Sequence, residues 1–529
     1  MLDLELLDIA VISIYFVGIF WIAIRVAKKS KNGDDSKGYF LGGKDMGWFV
    51  IGASLFASNI GSEHLIGLAG TAASSGVAVA QFELLAGVVL LLLGWVFVPF
   101  YIRSGVFTMP EFLEKRYSKN TRAYLSVISI VAYILTKISV TIAAGGIIFQ
   151  AMGMDFWTGA VAIVVITGVY TTIGGLKAVI YTDMIQMFVL IAGSLVVTFV
   201  GLYHLGGWTA FTAGLDASYF SLWKPISNPD FPWTGIIFGA PILGVWYWCT
   251  DQYIVQRVLA AKNIQQARKG SIFGGYLKML PLLIFVIPGV IALALSQKGE
   301  LLLNTPDDAL PMLIKVLLPV GLKGLVIAGL LAALMSSLSS VFNSCSTIFT
   351  LDIYKKIKPE STEKHLVLVG RIATVGLVFF GLLWVQFIDN ISDQLFKYLQ
   401  SVQAYISPPI AAVFLLGIFF KRLNSKGAMA SMITGFVLGI ARLVGEVNKT
   451  DLQGAFFYFC DINFLHFAIF LFVICVAVLI LVSLLTNSPD YAQIEGVTFH
   501  KMSMVDTRQD LILSGILVCI LASIWIYFS

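Results

Sequence analysis

Residues 53–68 read ASLFASNIGSEHLIGL. The stretch lies inside a long apolar run that would otherwise form one continuous helix. Yet Ser58, Asn59, Gly61, Ser62, Glu63 and His64 fall close together within it. Hydrocarbon tolerates neither bare backbone groups nor unpaired carboxylates, so polar, broken backbone at membrane depth points to a cavity lined by protein. A broken helix there offers free carbonyls to a cation and side chains to a polar solute. The competing reading is a short polar loop between two helices.

The surrounding composition supports membrane depth. The chain has 529 residues, 58% hydrophobic and only 12% charged, with a mean hydropathy of +0.88. Soluble domains carry roughly 25% charged residues. A spanning helix needs about 20 apolar residues. On that basis the chain reads as about fourteen spans: 7–27, 47–74, 79–102, 122–152, 156–175, 181–204, 235–256, 270–297, 323–352, 366–388, 394–420, 427–445, 464–487 and 511–528. Basic residues cluster at 25–44, 103–122, 257–269, 355–371 and 421–426. With both termini outside, these clusters all face the cytoplasm, as the positive-inside rule requires. The net charge of +5 therefore reflects loops and not nucleic-acid binding. Residues 1–8 are acidic, so the first helix is expected to be retained and not cleaved as a signal peptide. Five cysteines show no paired spacing.

Span 47–74 is broken at 58–64. Span 235–256 starts on the opposite side, five spans later, and carries Gly239, Pro241 and Gly244 before WYWCTDQ (246–252). Two interrupted helices in corresponding positions of oppositely oriented halves point to an inverted repeat. The expected units are 1–46 (first helix and cytoplasmic loop), 47–204 (first repeat), 205–234 (external loop), 235–422 (second repeat) and 423–529 (three added helices).

Few ionisable residues lie at membrane depth: Glu63, Glu83 and Asp183, with Lys137, Lys278 and Lys397. Arg442 sits near a helix end and is expected to snorkel. Segment 332–344, AALMSSLSSVFNS, crowds Ser336, Ser337, Ser339 and Ser340 onto neighbouring faces. Hydroxyl and carbonyl oxygens suit an alkali cation, although small residues also serve helix packing. Glu83 beside Phe82 suits a hydroxyl-rich ring, or else a structural ion pair with Lys137 or Lys278. Gln400, Phe396, Tyr247 and Trp248 add an amide and aromatics. Asp183 is open to two readings, a second cation site or a helix-start ion pair with Lys177 or Arg257. The sequence has no GxxxxGK[ST], no metal-spaced histidines and no catalytic constellation, so an enzyme and a primary pump are both disfavoured.

SNIGSEH (58–64), YIRSGVFTMPEFLEKRY (101–117), GGLKAVIYTDMIQ (174–186), WYWCTDQYIVQRVLAAKN (246–263), MSSLSSVFNSCSTIFTLDIY (335–354) and LQSVQAYISPPIAAVFLLGIFFKR (399–422) resemble the sodium/glucose cotransporter family. This family is a branch of the sodium/solute symporters. The resemblance covers nearly the whole chain. It implies an all-α polytopic membrane protein with the LeuT-type five-plus-five inverted repeat. It implies one sodium site from Ala57, Ile60 and Ala333 carbonyls and Ser336 and Ser337 hydroxyls. A second sodium would be held by Asp183 with Ser336, Ser339 and Ser340. Sugar would meet His64, Glu83, Tyr247, Trp248, Lys278 and Gln400. Glu63, read from the residues and not from the resemblance, either contacts the sugar or anchors the break through a neighbouring donor. Asn59 would hold Tyr247, the inner gate, and Leu68, Phe82 and Phe396 would form the outer gate. Gly244 and Gln403 depart from residues that family members carry at the sugar. The short loop 205–234 lacks the cysteines of animal members, which suggests a bacterial plasma membrane.

The expected activity is sodium-coupled hexose uptake by alternating access, with room for two sodium ions per sugar. A sodium/myo-inositol or other polyol symporter is the alternative substrate reading. A sodium-responsive sugar sensor is the rival of another class. Sodium is the ion implied, and no obligate protein partner is evident.

Overall fold

The computed structural model describes residues 4–29, 36–61, 63–385, 395–448, 453–498 and 507–529. Eleven helices among them are long and apolar enough to cross a bilayer, and no strand is present among the described residues. Two shorter apolar helices, Trp48–Asn59 and Phe156–Thr172, belong to runs interrupted by a break or a kink. The most buried of the spanning runs is Leu322–Ile357, which begins with helix Leu322–Ile348. It packs chiefly along Phe156–His204, while Trp48–Asn59 lies against Ile264–Leu277. The polar residues of the chain's centre therefore converge from helices that are far apart in sequence.

The first interruption lies where the polar stretch places it. Helix Trp48–Asn59 stops as Ile60 turns to an extended conformation (φ −73°, ψ 100°), and a wide π-turn, Glu63–Leu68, resumes the helix. The second interruption is displaced from its expected position. Gly239, Pro241 and Gly244 leave the chain helical: Gly239 N–H still reaches the Gly235 carbonyl at 2.7 Å. Pro241 falls in the first turn of Ala240–Gly244, where a missing N–H is harmless. The chain unwinds instead at Asp251 (φ −78°, ψ 126°), after the π-turn Val245–Thr250. Asp251 then caps helix Gln252–Leu259 by accepting from Tyr253 N–H at 3.1 Å.

The expected spans 156–175 and 181–204 form one run, Phe156–His204, that turns at Gly175. Its φ of +57° and the Tyr39 carbonyl, 2.8 Å from where a Cβ would sit, both require glycine there. Span 270–297 is jointed at Lys278, which caps Ile264–Leu277 ahead of the π-turn Leu282–Val286. Residues 386–388 of span 366–388 and residue 394 of the next lie outside the described residues. Arg442 does not snorkel: it is buried and donates to the Phe459 and Ile462 carbonyls at 2.6 and 2.9 Å.

Candidate functional site

Breaking the helix at 60–61 frees backbone groups and turns side chains inward. Gly61 N–H, which an unbroken helix would direct at Ala57, donates instead to His64 Nδ1 at 3.4 Å. His64 Nε2 stands 3.1 Å from Glu83 Oε1, so an Nε2–H tautomer satisfies both contacts. The other Glu83 oxygen pairs with Lys278 Nζ, and the same ammonium donates to Asn59 Oδ1. Asn59 Nδ2 donates to the Tyr247 hydroxyl at 2.9 Å. Glu83, Lys278, His64, Asn59 and Tyr247 thus form one buried hydrogen-bonded chain. The Asn59–Tyr247 bond joins the two interrupted helices directly, and Lys278 ties its own joint to the first of them.

This chain borders a cavity that Asn59, His64, Glu83, Tyr247, Trp248 and Gln400 line together. Lys137, Phe82 and Gln403 also reach it. Lys278 lies behind that wall, 5.3 Å over the Trp248 ring. Lys137 does not pair with Glu83 and instead stands 5.0 Å over the Tyr247 ring. Several of these groups sit on π-turns: His64 on Glu63–Leu68, Lys137 on Ile134–Ile138 and Tyr247 with Trp248 on Val245–Thr250. A π-turn widens the helix and re-aims side chains, and such turns recur at functional sites. The Glu63 side chain lies outside the described residues.

Phe82, which lines the cavity, belongs to a cluster of aromatic rings. Phe82 meets Phe396 at 5.8 Å and Phe231 at 5.9 Å between centroids, both edge-on. Gly67 lets Phe396 settle on the π-turn, since a Cβ there would stand 2.8 Å from the Phe396 nitrogen. Leu68 is fully buried. Sequence reasoning missed Phe231, which comes from the 205–234 loop. Asp230 beside it bonds Ser75 at 3.0 Å and Lys397 at 2.9 Å. Lys397 therefore answers a carboxylate at the rim.

A second polar cluster lies on the opposite face of the same break. Asp183 Oδ2 accepts from Ser54 at 2.6 Å and Ser58 at 3.0 Å, and Oδ1 accepts from Ser336 at 2.6 Å. Ser340 reaches the cluster through Ser58, 3.1 Å away. Ser339 turns back to the Ser336 carbonyl in its own helix, so the structure does not bring it to Asp183. The Tyr253 hydroxyl donates to the Ser58 carbonyl and stands 3.3 Å from Ser337 Oγ. Ala57, Ile60 and Ala333 are buried. Lys177 bonds Asp45 at 2.7 Å and not Asp183.

The cluster supplies a carboxylate, hydroxyls and broken-helix carbonyls, a hard-oxygen donor set suited to an alkali cation. Sequence reasoning marked Ser58 only as part of the break and missed Ser54 and Tyr253. Ser54 and Ser58 are one helical turn apart on one face, a spacing that could have flagged them.

The family model of the sodium:solute symporter family matches residues 39–435. Sodium/glucose cotransporter 1 of Oryctolagus cuniculus is 42% identical over 523 residues, covering 91% of this chain and 79% of that protein. The sodium/myo-inositol cotransporter of Mus musculus is 40% identical over 556 residues, covering 96% and 77%. Among solved structures, a Na+-coupled sialic acid symporter in a substrate-bound outward-open state superposes with a TM-score of 0.79 at 24% identity, covering 92% of this chain and 99% of that one. Mhp1, a nucleobase-cation-symport-1 family transporter, gives 0.56 at 15% identity, covering 86% and 96%. These neighbours share the LeuT-type fold, and the relatives are transporters. This multi-pass membrane protein belongs to the sodium:solute symporter family.

Proposed function

We propose that the protein imports a hexose of the glucose or galactose type, driven by sodium entry, through alternating access. The observation that carries this reading is the sharing of one helix break by two clusters. Asn59 bonds the Glu83–Lys278 chain beside the cavity, while Ser58, its neighbour, bonds Asp183. A neutral polyhydroxyl solute and an alkali cation would each act on adjacent residues of one flexible joint. The relatives named sodium/glucose cotransporter support the solute class.

On this reading, Ala57, Ile60, Ala333, Ser336 and Ser337 hold one sodium ion. Asp183, with Ser336 and Ser340, holds a second. Sodium braces the break against helix Leu322–Ile348 and so favours the conformation with an ordered sugar cavity. Sugar among His64, Glu83, Trp248 and Gln400 then favours closure of the Phe82–Phe396 rings. Sodium loss to a low-sodium cytoplasm loosens the brace. The ion acts only by binding one conformation better than the other. A membrane potential adds about 2.3 kcal/mol per charge per 100 mV. The basic clusters support a plasma-membrane orientation with both termini outside, and the short 205–234 loop supports a bacterial inner membrane.

A polyol substrate is the second reading, favoured by the sodium/myo-inositol relative. Proteoliposome uptake decides between them. Sodium-dependent glucose uptake and counterflow are expected, with glucose and galactose competing better than myo-inositol. A sodium-to-sugar flux ratio near two is expected, and a ratio of one removes the second ion. A sodium-responsive sensor would show no counterflow. Ser337→Ala should abolish sodium-dependent uptake in folded protein, and unchanged sodium dependence would refute the site.

A further inference from the structure

Beside Asp183 lies a buried cation whose part in this cluster the cation reading leaves out. Arg257, on helix Gln252–Leu259, is fully buried. Its Nε donates to Ser58 Oγ at 3.0 Å and its Nη1 to the Tyr253 carbonyl. Its Nη2 has no hydrogen-bond partner and stands 4.0 Å from Asp183 Oδ2. That is the outer limit of an ion pair and too far for a hydrogen bond. Asp183 directs its oxygens at three serines, while the guanidinium keeps one nitrogen uncommitted beside it.

We propose that Arg257 is the resident counter-ion of Asp183 and that the coupling cation and this guanidinium compete for the carboxylate. The inference rests on the sodium-coupled reading and deepens it. A buried carboxylate without compensation is strongly unfavourable. Without sodium, Arg257 supplies the compensation. With sodium bound, two cations would share one carboxylate at low dielectric, and their repulsion weakens both attachments. Sodium therefore enters as Arg257 withdraws, and Arg257 returns as sodium leaves. The returning guanidinium keeps a bare carboxylate from trapping the ion.

The exchange also has a mechanical consequence. Tyr253 and Arg257 are one helical turn apart and grip Ser58 at its carbonyl and its hydroxyl respectively. Shifting Arg257 thus moves the helix that follows the second break relative to the first break. Arg257 is a positioning residue for the cation and makes no contact with the sugar cavity described above.

The test is equilibrium binding of radioactive sodium to purified protein without sugar. Arg257→Gln is expected to bind sodium at least tenfold more tightly than wild type, yet to transport more slowly in proteoliposomes because release is impaired. In an Asp183→Asn background the same substitution should leave sodium affinity unchanged. Unchanged or weaker binding by folded Arg257→Gln overturns the inference.

Should Arg257→Gln not fold, thermal unfolding supplies the test. Asp183→Asn should melt below wild type, and Asp183→Asn/Arg257→Gln should recover much of that loss. No recovery overturns the pairing. If wild type binds no sodium, the sodium-coupled reading itself fails. If wild type binds sodium but Arg257→Gln does not tighten it, only the counter-ion role fails.

Discussion

Two buried carboxylates, Glu83 and Asp183, flank the same helix break and are held in opposite ways. Glu83 is in direct contact with an ammonium, Lys278, and with His64. Asp183 is surrounded by serine hydroxyls, with its arginine 4.0 Å away. Direct pairing neutralises Glu83, so its cluster suits an uncharged solute that exchanges hydrogen bonds. Hydroxyl solvation stabilises Asp183 while leaving its charge available to a cation. The fold distinguishes the two by where it places the counter-charge.

The largest effect is expected where pairing is tightest. Glu83→Gln leaves Lys278 buried without its carboxylate, and breaking a buried pair costs about 3–5 kcal/mol. Sugar uptake efficiency should fall by about 10²–10³-fold, at about 1.4 kcal/mol per factor of ten. Sodium binding without sugar should persist. Loss of sodium binding in this variant would show that the two clusters do not separate as their geometry suggests.

Asp183→Asn should act the other way round. Its serine partners remain and can bond an amide, so the expected change is about a tenfold rise in half-saturating sodium, or about 1.4 kcal/mol. Sugar affinity at saturating sodium should change little. A sugar defect as large as that of Glu83→Gln would erase the contrast.

The uneven legibility of these clusters has a physical cause. In hydrocarbon any charged or strongly polar residue stands out, so Glu83, Lys278, Asp183 and the break at 58–64 could be read directly from the chain. Ser54 could not, because a single serine costs a membrane helix little and signals nothing alone. Arg257 was legible only as one of two possible partners of Asp183, since it begins a basic cluster that reads as loop, yet it is buried in the core on the helix that follows the unwinding at Asp251. That unwinding was itself misplaced toward Gly239–Gly244. Glycine and proline break helices only where no packing or first-turn position accommodates them, and here both do. Phe231 escaped because it comes from a loop, where sequence offers no periodicity.

Asn59 sharpens the comparison, since it bonds Lys278 on one side and Tyr247 on the other. Tyr247→Phe removes one hydroxyl and leaves the Asn59 amide short of an acceptor. A buried group left unsatisfied costs about 1–3 kcal/mol. Half-saturating sugar should rise by about fivefold to tenfold, corresponding to about 1–1.4 kcal/mol, with half-saturating sodium unchanged. An equal shift in both would place Tyr247 on the coupling path between the clusters and not on the sugar side alone.

The smallest effect belongs to a pair outside both clusters, and it sets the scale for the others. Asp230 and Lys397 meet at 2.9 Å with side chains 24% and 30% exposed. Partly exposed ion pairs contribute about 0–1 kcal/mol and weaken with salt. Asp230→Asn should therefore change half-saturating sugar by about twofold, equivalent to about 0.4 kcal/mol, and the difference should shrink at high ionic strength when sodium is held constant. Asp230 adjoins Phe231, which packs on Phe82, so the pair ties the 205–234 loop to the helix that carries Phe396. A tenfold, salt-insensitive loss would mean that this tie takes part in closing the cavity. The contrast between Glu83 and Asp183 would then need a third charged element, set at the rim and not at the break.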